Sequence, residues 1–253
     1  MEKNLPSQLA SSNRYNVRFA QTEGDLRAAQ SLRYRVFNLE LGEGLEESHK
    51  IELDTDKYDA QCDHLLVVEQ ESDRVIGTYR MQTHAKAVQH HGFYTEDEFD
   101  LSVLPDDILD HSVEVGRACI EKEHRNGRVL YLLWRGIAEY MKLTSSRYLF
   151  GCCSITSTKP KEGWVVMDYL RQNGHMHEKY NVDTKPAFSC PEVQRDEEAW
   201  EEVSLPQLFR LYLDLDAKVL SHPALDANFQ TIDFLIIVDI RALDERSKAL
   251  FLK

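Results

Sequence analysis

Ser112-Val113-Glu114-Val115-Gly116-Arg117-Ala118-Cys119-Ile120 runs directly into Glu121-Lys122-Glu123-His124-Arg125-Asn126-Gly127-Arg128. Beyond it, Leu130, Leu133, Trp134, Ile137 and Tyr140 or Met141 mark one helical face. An apolar run, a compact polar turn and a 3.6-residue period read as strand, loop and helix, in that order. Backbone amides exposed at the start of such a helix, with Arg125, Gly127 and Arg128 beside them, suit phosphate oxygens. The same residues would serve equally as a surface turn. Glu114 and Arg117 stand on the strand just before the loop. Strict alternation sends their side chains to opposite faces unless a bulge intervenes. The loop lacks both the GxxxxGK-Ser/Thr pattern of nucleotide hydrolysis and the glycines of a dinucleotide fingerprint. No GxSxG elbow occurs in the chain. The chemistry must come from acids, arginines, tyrosines and backbone donors.

Upstream, Arg18-Phe19 opens a first strand, and Thr22-Glu23-Gly24-Asp25 starts a helix. Its inward stripe runs through Leu26, Ala29, Leu32, Arg33 and Phe37, with Gly42 and Gly44 at the exit. Glu46 to Asp63 is an acid-rich, irregular connection in which Asp54, Asp56 and Asp59 need compensating partners unless they are solvated. His64 to Glu69 and Arg74 to Gln82 read as a hairpin across Glu71-Ser72-Asp73. Ala85 to Asp100 has no clear period. Its flanking and internal histidines, His84, His90 and His91, lack partners at metal spacing and are expected on a polar surface, with no metal site.

Downstream, Arg147 to Ser154 reads as a buried strand, and Glu162 to Gln172 as a helix bounded by Pro160 and Asn173-Gly174. His175 to Ser204 is a polar, mostly extended excursion. A further helix starts at Leu205-Pro206, and Phe234 to Ile240 reads as a late interior strand. The expected organisation is a polar leader over residues 1–16 and a single α/β domain over 17–253 with a C-terminal elaboration.

The chain has 253 residues, 42% of them hydrophobic, enough for one substantial core. Its 30 Lys plus Arg face 43 Asp plus Glu, a net charge of -13, which argues against nucleic acid as the main partner. The first residues lack the apolar core of a secretory signal, and no run approaches the length of a membrane helix. The five cysteines form no CxxC pair and read as buried thiols in a reducing compartment. A cytoplasmic location is expected, with peripheral membrane contact left open.

The ordered blocks Leu32-Arg33-Tyr34-Arg35-Val36-Phe37, Asp56-Lys57-Tyr58-Asp59, Val75-Ile76-Gly77-Thr78-Tyr79-Arg80 and Glu114-Val115-Gly116-Arg117-Ala118-Cys119 resemble the ornithine lipid N-acyltransferases. That haemolysin-like family lies in the GNAT superfamily and is similar to acyl-homoserine-lactone synthases and N-acyl amino acid synthases. Supporting blocks include Gly92-Phe93-Tyr94, Glu98-Phe99-Asp100, Leu133-Trp134-Arg135-Gly136-Ile137 and Phe229-Gln230-Thr231-Ile232-Asp233. The likeness spans roughly residues 17–240.

The resemblance implies a GNAT fold, with helices flanking a central mixed sheet splayed where the acyl carrier arm enters. It further implies transfer of a (3-hydroxy)acyl chain from the phosphopantetheine thioester of acyl carrier protein to a small amino acid, with ornithine as acceptor. Matching positions pick out Arg33, Phe37, Asp56, Asp59 and Arg80 as substrate-binding candidates and Glu114 and Arg117 as catalytic ones. Glu114 is the candidate general base for the incoming amine. Lys122, Arg125, Gly127, Arg128 and Arg135 are candidates for docking the acidic carrier. Acyl-CoA is the weaker donor candidate, because Arg125-Asn126-Gly127-Arg128-Val129-Leu130 lacks the second glycine of the acetyltransferase loop. Two other readings are an autoinducer-type or other N-acyl amino acid synthase, and an inactive carrier- or lipid-binding module.

Overall fold

A computed structural model describes residues 5–6, 9–12, 14–196 and 198–251, so parts of the expected leader lie outside the described residues. The strands are β1 (Ala10–Ser11), β2 (Tyr15–Phe19), β3 (Asp63–Glu69), β4 (Arg74–Thr83), β5 (Ser112–Ile120), β6 (Tyr148–Ile155), β7 (Lys218–Val219), β8 (Ala224–Asp226) and β9 (Thr231–Asp239). They form one sheet in the order β1-β2-β3-β4-β5-β6-β9-β7, with β8 also on β9. Only β5 and β6 run parallel; the other neighbours are antiparallel. The α-helices are α1 (Glu23–Tyr34), α2 (Ser48–Ile51), α3 (His84–Ala87), α4 (Asp106–Asp110), α5 (Gly127–Thr144), α6 (Pro160–Gln172), α7 (Gln207–Asp214) and α8 (Glu245–Phe251).

Alternation along β3 explains why both faces of the sheet are covered. Leu65 and Val67 pack with Val129, Leu133 and Ile137 of α5, while Leu66 and Val68 pack with Ala29 and Leu32 of α1. Helix α1 begins in a capping box: Thr22 Oγ1 accepts from the Asp25 amide, and the Asp25 carboxylate accepts from the Thr22 amide. The helix then widens into a π-helical turn, Arg35–Leu41, which Gly42 ends in the left-handed region. Periodicity could not reveal this turn, because a π-turn keeps the same apolar residues and changes only the hydrogen-bond step.

Two irregularities of β5 create the site. First, β5 and β6 pair only at Ser112–Tyr148, Val113–Leu149 and Glu114–Phe150, although both strands continue further. At this parting a Cβ on Gly151 would lie 2.2 Å from the Val115 carbonyl oxygen, so only glycine fits. The expected splay of the mixed sheet is therefore present. Second, Thr78 faces Cys119 and Arg80 faces Gly116, so that Arg117 and Ala118 together oppose Tyr79. This is a β-bulge. Arg117 takes a φ of 50°, a left-handed conformation that costs a non-glycine residue energy and recurs at functional sites.

The segment around Ala85 to Asp100 corrects a simple expectation. His90 and His91 are exposed, but Ala87, Phe93, Thr95, Glu98 and Phe99 are buried. Short helical turns, rather than one repeating element, carry these side chains inward, which is why no period announced them.

Candidate active site

Three arginines and three aspartates form a buried framework beside the bulge. Arg33, with no exposed surface, donates from Nε to Asp54 at 2.7 Å and through both terminal nitrogens to Asp59 at 2.9 and 2.8 Å. Arg80 grips both oxygens of Asp56 at 2.6 Å and reaches Asp59 at 2.9 Å. Arg117 approaches Asp54 and Asp56 at 3.3 Å and lies over the rings of Tyr94 and Phe229, at 4.7 and 4.4 Å from their centroids. Burial alone would raise the Asp56 and Asp59 pKa values. Arg80 and Arg117 hold Asp56 low, and Arg33 and Arg80 hold Asp59 low. Opposite charges match one for one, so the framework is neutral as a whole.

Glu114 sits where β5 leaves β6. One carboxylate oxygen accepts from Gln82 Nε2 at 2.7 Å and from the Tyr94 amide at 3.0 Å; the other accepts from the Thr95 amide at 2.8 Å. Burial pushes its pKa above the ordinary carboxylate value, and these hydrogen bonds only partly oppose the shift. A carboxylate held by three donors yet biased toward neutrality is suited to taking a proton. Glu114 and Arg117 do not pair with each other. Both instead line one cavity of about 280 Å³, together with Tyr94, Cys152, Phe229 and Asp233.

A second cavity of about 330 Å³ opens at Arg125, Asn126 and Gly127 and shares Phe37, Leu41, Tyr79, Ala118 and Leu208 with the first. The two cavities thus lie side by side between the loop before α5 and Glu114, sharing mostly apolar walls. Phe37 lines both parts and packs edge-on against Phe229 at 5.6 Å. At the mouth, the Asn126 side chain caps α5 by accepting from the amides of Arg128 and Val129 at 3.1 Å. Lys122, Arg125, Arg128 and Arg135 are exposed, and Arg125 is clamped by both oxygens of Glu40.

Similarity to known proteins agrees with this geometry. A family model described as an acetyltransferase (GNAT) domain matches residues 32–135. An L-ornithine N(alpha)-acyltransferase of Brucella abortus (strain 2308) is 32% identical over 244 residues, covering 91% of this chain and 86% of that one. The chain belongs to the L-ornithine N(alpha)-acyltransferase family. The member from Rhizobium meliloti (strain 1021) is 30% identical over 246 residues, 91% of this chain and 81% of its own. The solved structure of FeeM, an N-acyl amino acid synthase from uncultured soil microbes, superposes with a TM-score of 0.52 over 94% of this chain and 96% of that one. At 12% identity that likeness is one of fold alone.

This member of the N-acyltransferase family therefore works with an acyl donor and an amine acceptor. The candidate site residues fall into three places: Arg33, Asp56, Asp59, Arg80 and Arg117 in the ion framework, Phe37 and Glu114 in the cavity walls, and Arg125 and Gly127 lining the outer cavity, with Lys122, Arg128 and Arg135 exposed on the adjoining loop and α5. Three thiols, Cys62, Cys152 and Cys153, also line the inner cavity. Burial pushes Cys62 up to about 12 and the other two well above their ordinary value, which disfavours the thiolate form at neutral pH. Reading by residue type missed Gln82, Thr95 and Asp233. The signal for Asp233 was an acid opening an apolar strand, which demands a partner. Gln82 and the amides around Thr95 left no signal of their own.

Proposed function

We propose that the enzyme acylates the α-amine of ornithine with a long, 3-hydroxylated acyl chain delivered by acyl carrier protein, and that Glu114 is the general base. The single observation that carries this reading is Glu114 itself, a buried carboxylate of raised pKa in the wall of the inner cavity. The ornithine acceptor is supported by the printed activity of the relatives. In the reaction the acceptor's ammonium gives one proton to Glu114 and the freed amine bonds to the thioester carbonyl carbon; as the tetrahedral intermediate collapses, the C–S bond breaks and the second nitrogen proton passes to the departing sulfur, which leaves as the thiol. Backbone groups of Val115 to Ala118, released from pairing with β6, line the cavity and are suited to stabilise the oxyanion. Direct transfer is favoured over a cysteine-bound intermediate because burial disfavours the thiolate form of the cavity thiols.

A protein-borne donor is favoured by the mouth of the outer cavity. The first amides of α5 are already taken by Asn126, which leaves less for a coenzyme diphosphate, while Lys122, Arg128 and Arg135 present positive charge outward. The framework of Arg33, Asp54, Asp56, Asp59, Arg80 and Arg117 shapes the acceptor side of the cavity, and Phe37 packs beneath the acyl arm. Leu39 and Leu41, exposed on the π-helical turn, support peripheral membrane contact during product release.

The Glu114→Gln variant tests the base. It should lower turnover by about 10²–10⁴-fold while donor binding is retained. In the wild type kcat/KM rises with pH as Glu114 loses its proton, at a pH above the ordinary carboxylate range; the variant lacks that limb. Unchanged turnover, or an unchanged pH profile, would reject Glu114 as base.

A further inference from the structure

The three aspartates that could have met a cationic substrate are matched one for one by Arg33, Arg80 and Arg117. A second group of carboxylates abuts the same cavity. Asp233 is in its wall, and oxygens of Asp233, Glu98 and Asp226 all lie within 4.8 Å of one another. All three residues are buried, and none forms an ion pair among the described residues. Asp233 accepts from the hydroxyls of Ser154 and Thr231, and one Asp226 oxygen accepts from the amides of Asn228 and Phe229 at 2.9 Å. Glu98 differs. It is 1% exposed and neither of its oxygens has a hydrogen-bond partner of good geometry; the Tyr94 side chain is the nearest donor and only partly offsets its burial.

Unpartnered buried carboxylates are costly, and three together repel one another. Burial and their mutual charge push Glu98 and Asp233 upward, with Arg117 the positive group that opposes the shift in both. Arg117 is already engaged with Asp54 and Asp56. The cluster is thus short of a cation. A primary ammonium offers three N–H donors, one for each carboxylate. A hard metal ion is the competing occupant of three clustered carboxylates, and the titration below separates the two.

We propose that Asp233, backed by Glu98 and Asp226, is the subsite that receives the side-chain ammonium of the acceptor and makes the enzyme selective for α,ω-diamino acids. The inference rests on the reading of the cavity as the acceptor site. It explains how one amine is stored as a cation while the other is presented to Glu114.

Calorimetric titration of the whole enzyme with ornithine and with norleucine, which has a methyl in place of the distal ammonium, tests it. Ornithine should bind about 30-fold or more tightly than norleucine. Glu98→Gln and Asp233→Asn should each erase most of that difference without weakening norleucine. Equal affinity of the wild type for both ligands overturns the proposal, as does parallel loss of both in the variants. If either variant fails to fold, Asp226→Asn and the wild-type comparison decide. Stoichiometric binding of Ca²⁺ or Mg²⁺ that Asp233→Asn abolishes would also overturn it, in favour of a metal site. Selective ornithine binding without acylation would instead contradict the transfer reading alone.

Discussion

Arg33 has no exposed surface and keeps its charge inside the protein only because Asp54 and Asp59 meet every face of its guanidinium. Removing it leaves two buried carboxylates short of their partner. Arg33→Met should destabilise the protein by about 3–5 kcal/mol, read as a lower urea midpoint; an unchanged midpoint would contradict the framework. Arg33→Lys should recover little, since one ammonium cannot reproduce the forked contacts. At this scale much was legible. Charged residues in an irregular connection need partners, and that requirement singled out Asp54, Asp56 and Asp59, while Arg33 was picked out by the family resemblance. It could not say which arginine meets which aspartate, because the pairs join positions 21 to 63 residues apart. Nor could it find Gln82, whose role exists only because β4 and β5 are neighbours with Gln82 opposite Glu114.

Strand β5 decides how these residues are used. Its span of Ser112–Ile120 was readable from the apolar run, as was the helix that follows. Its two departures from regularity were not. The bulge at Arg117 and Ala118 shifts the register so that the Arg117 side chain joins the cavity that Glu114 lines. The parting from β6 depends on Gly151 lying against the Val115 carbonyl, a contact between distant segments that local pattern does not encode. Gly151→Ala should force those backbones apart at the neck of the site. The expected result is a lower melting temperature together with at least a tenfold loss of turnover, on the order of what a 1 Å misplacement of catalytic groups costs. Retained turnover in a normally stable variant would show that the neck is not critical. The π-helical turn and the buried turns after β4 escaped the sequence for a related reason: neither has a period of its own.

Across the whole molecule the net charge of -13 conceals a division of labour. Acidic groups gather at the inner cavity, while Lys122, Arg128 and Arg135 are exposed on the loop before α5 and along that helix. No helix of the described residues is long and apolar enough to cross a membrane. Arg125 is tied to Glu40, so charge reversal at Arg128 and Arg135 is the cleaner probe of docking. Arg128→Glu with Arg135→Glu should weaken binding of acyl carrier protein by about tenfold and flatten its dependence on salt, with acyl-CoA binding little altered. Unchanged carrier affinity would remove the patch from the account. The most direct test of the central claim is to incubate the purified enzyme with 3-hydroxyacyl carrier protein and L-ornithine and to locate the acyl group by tandem mass spectrometry. The account predicts a product acylated on the α-nitrogen with the side-chain amine free; no N-acylated product, or acylation of the side-chain amine alone, would contradict it.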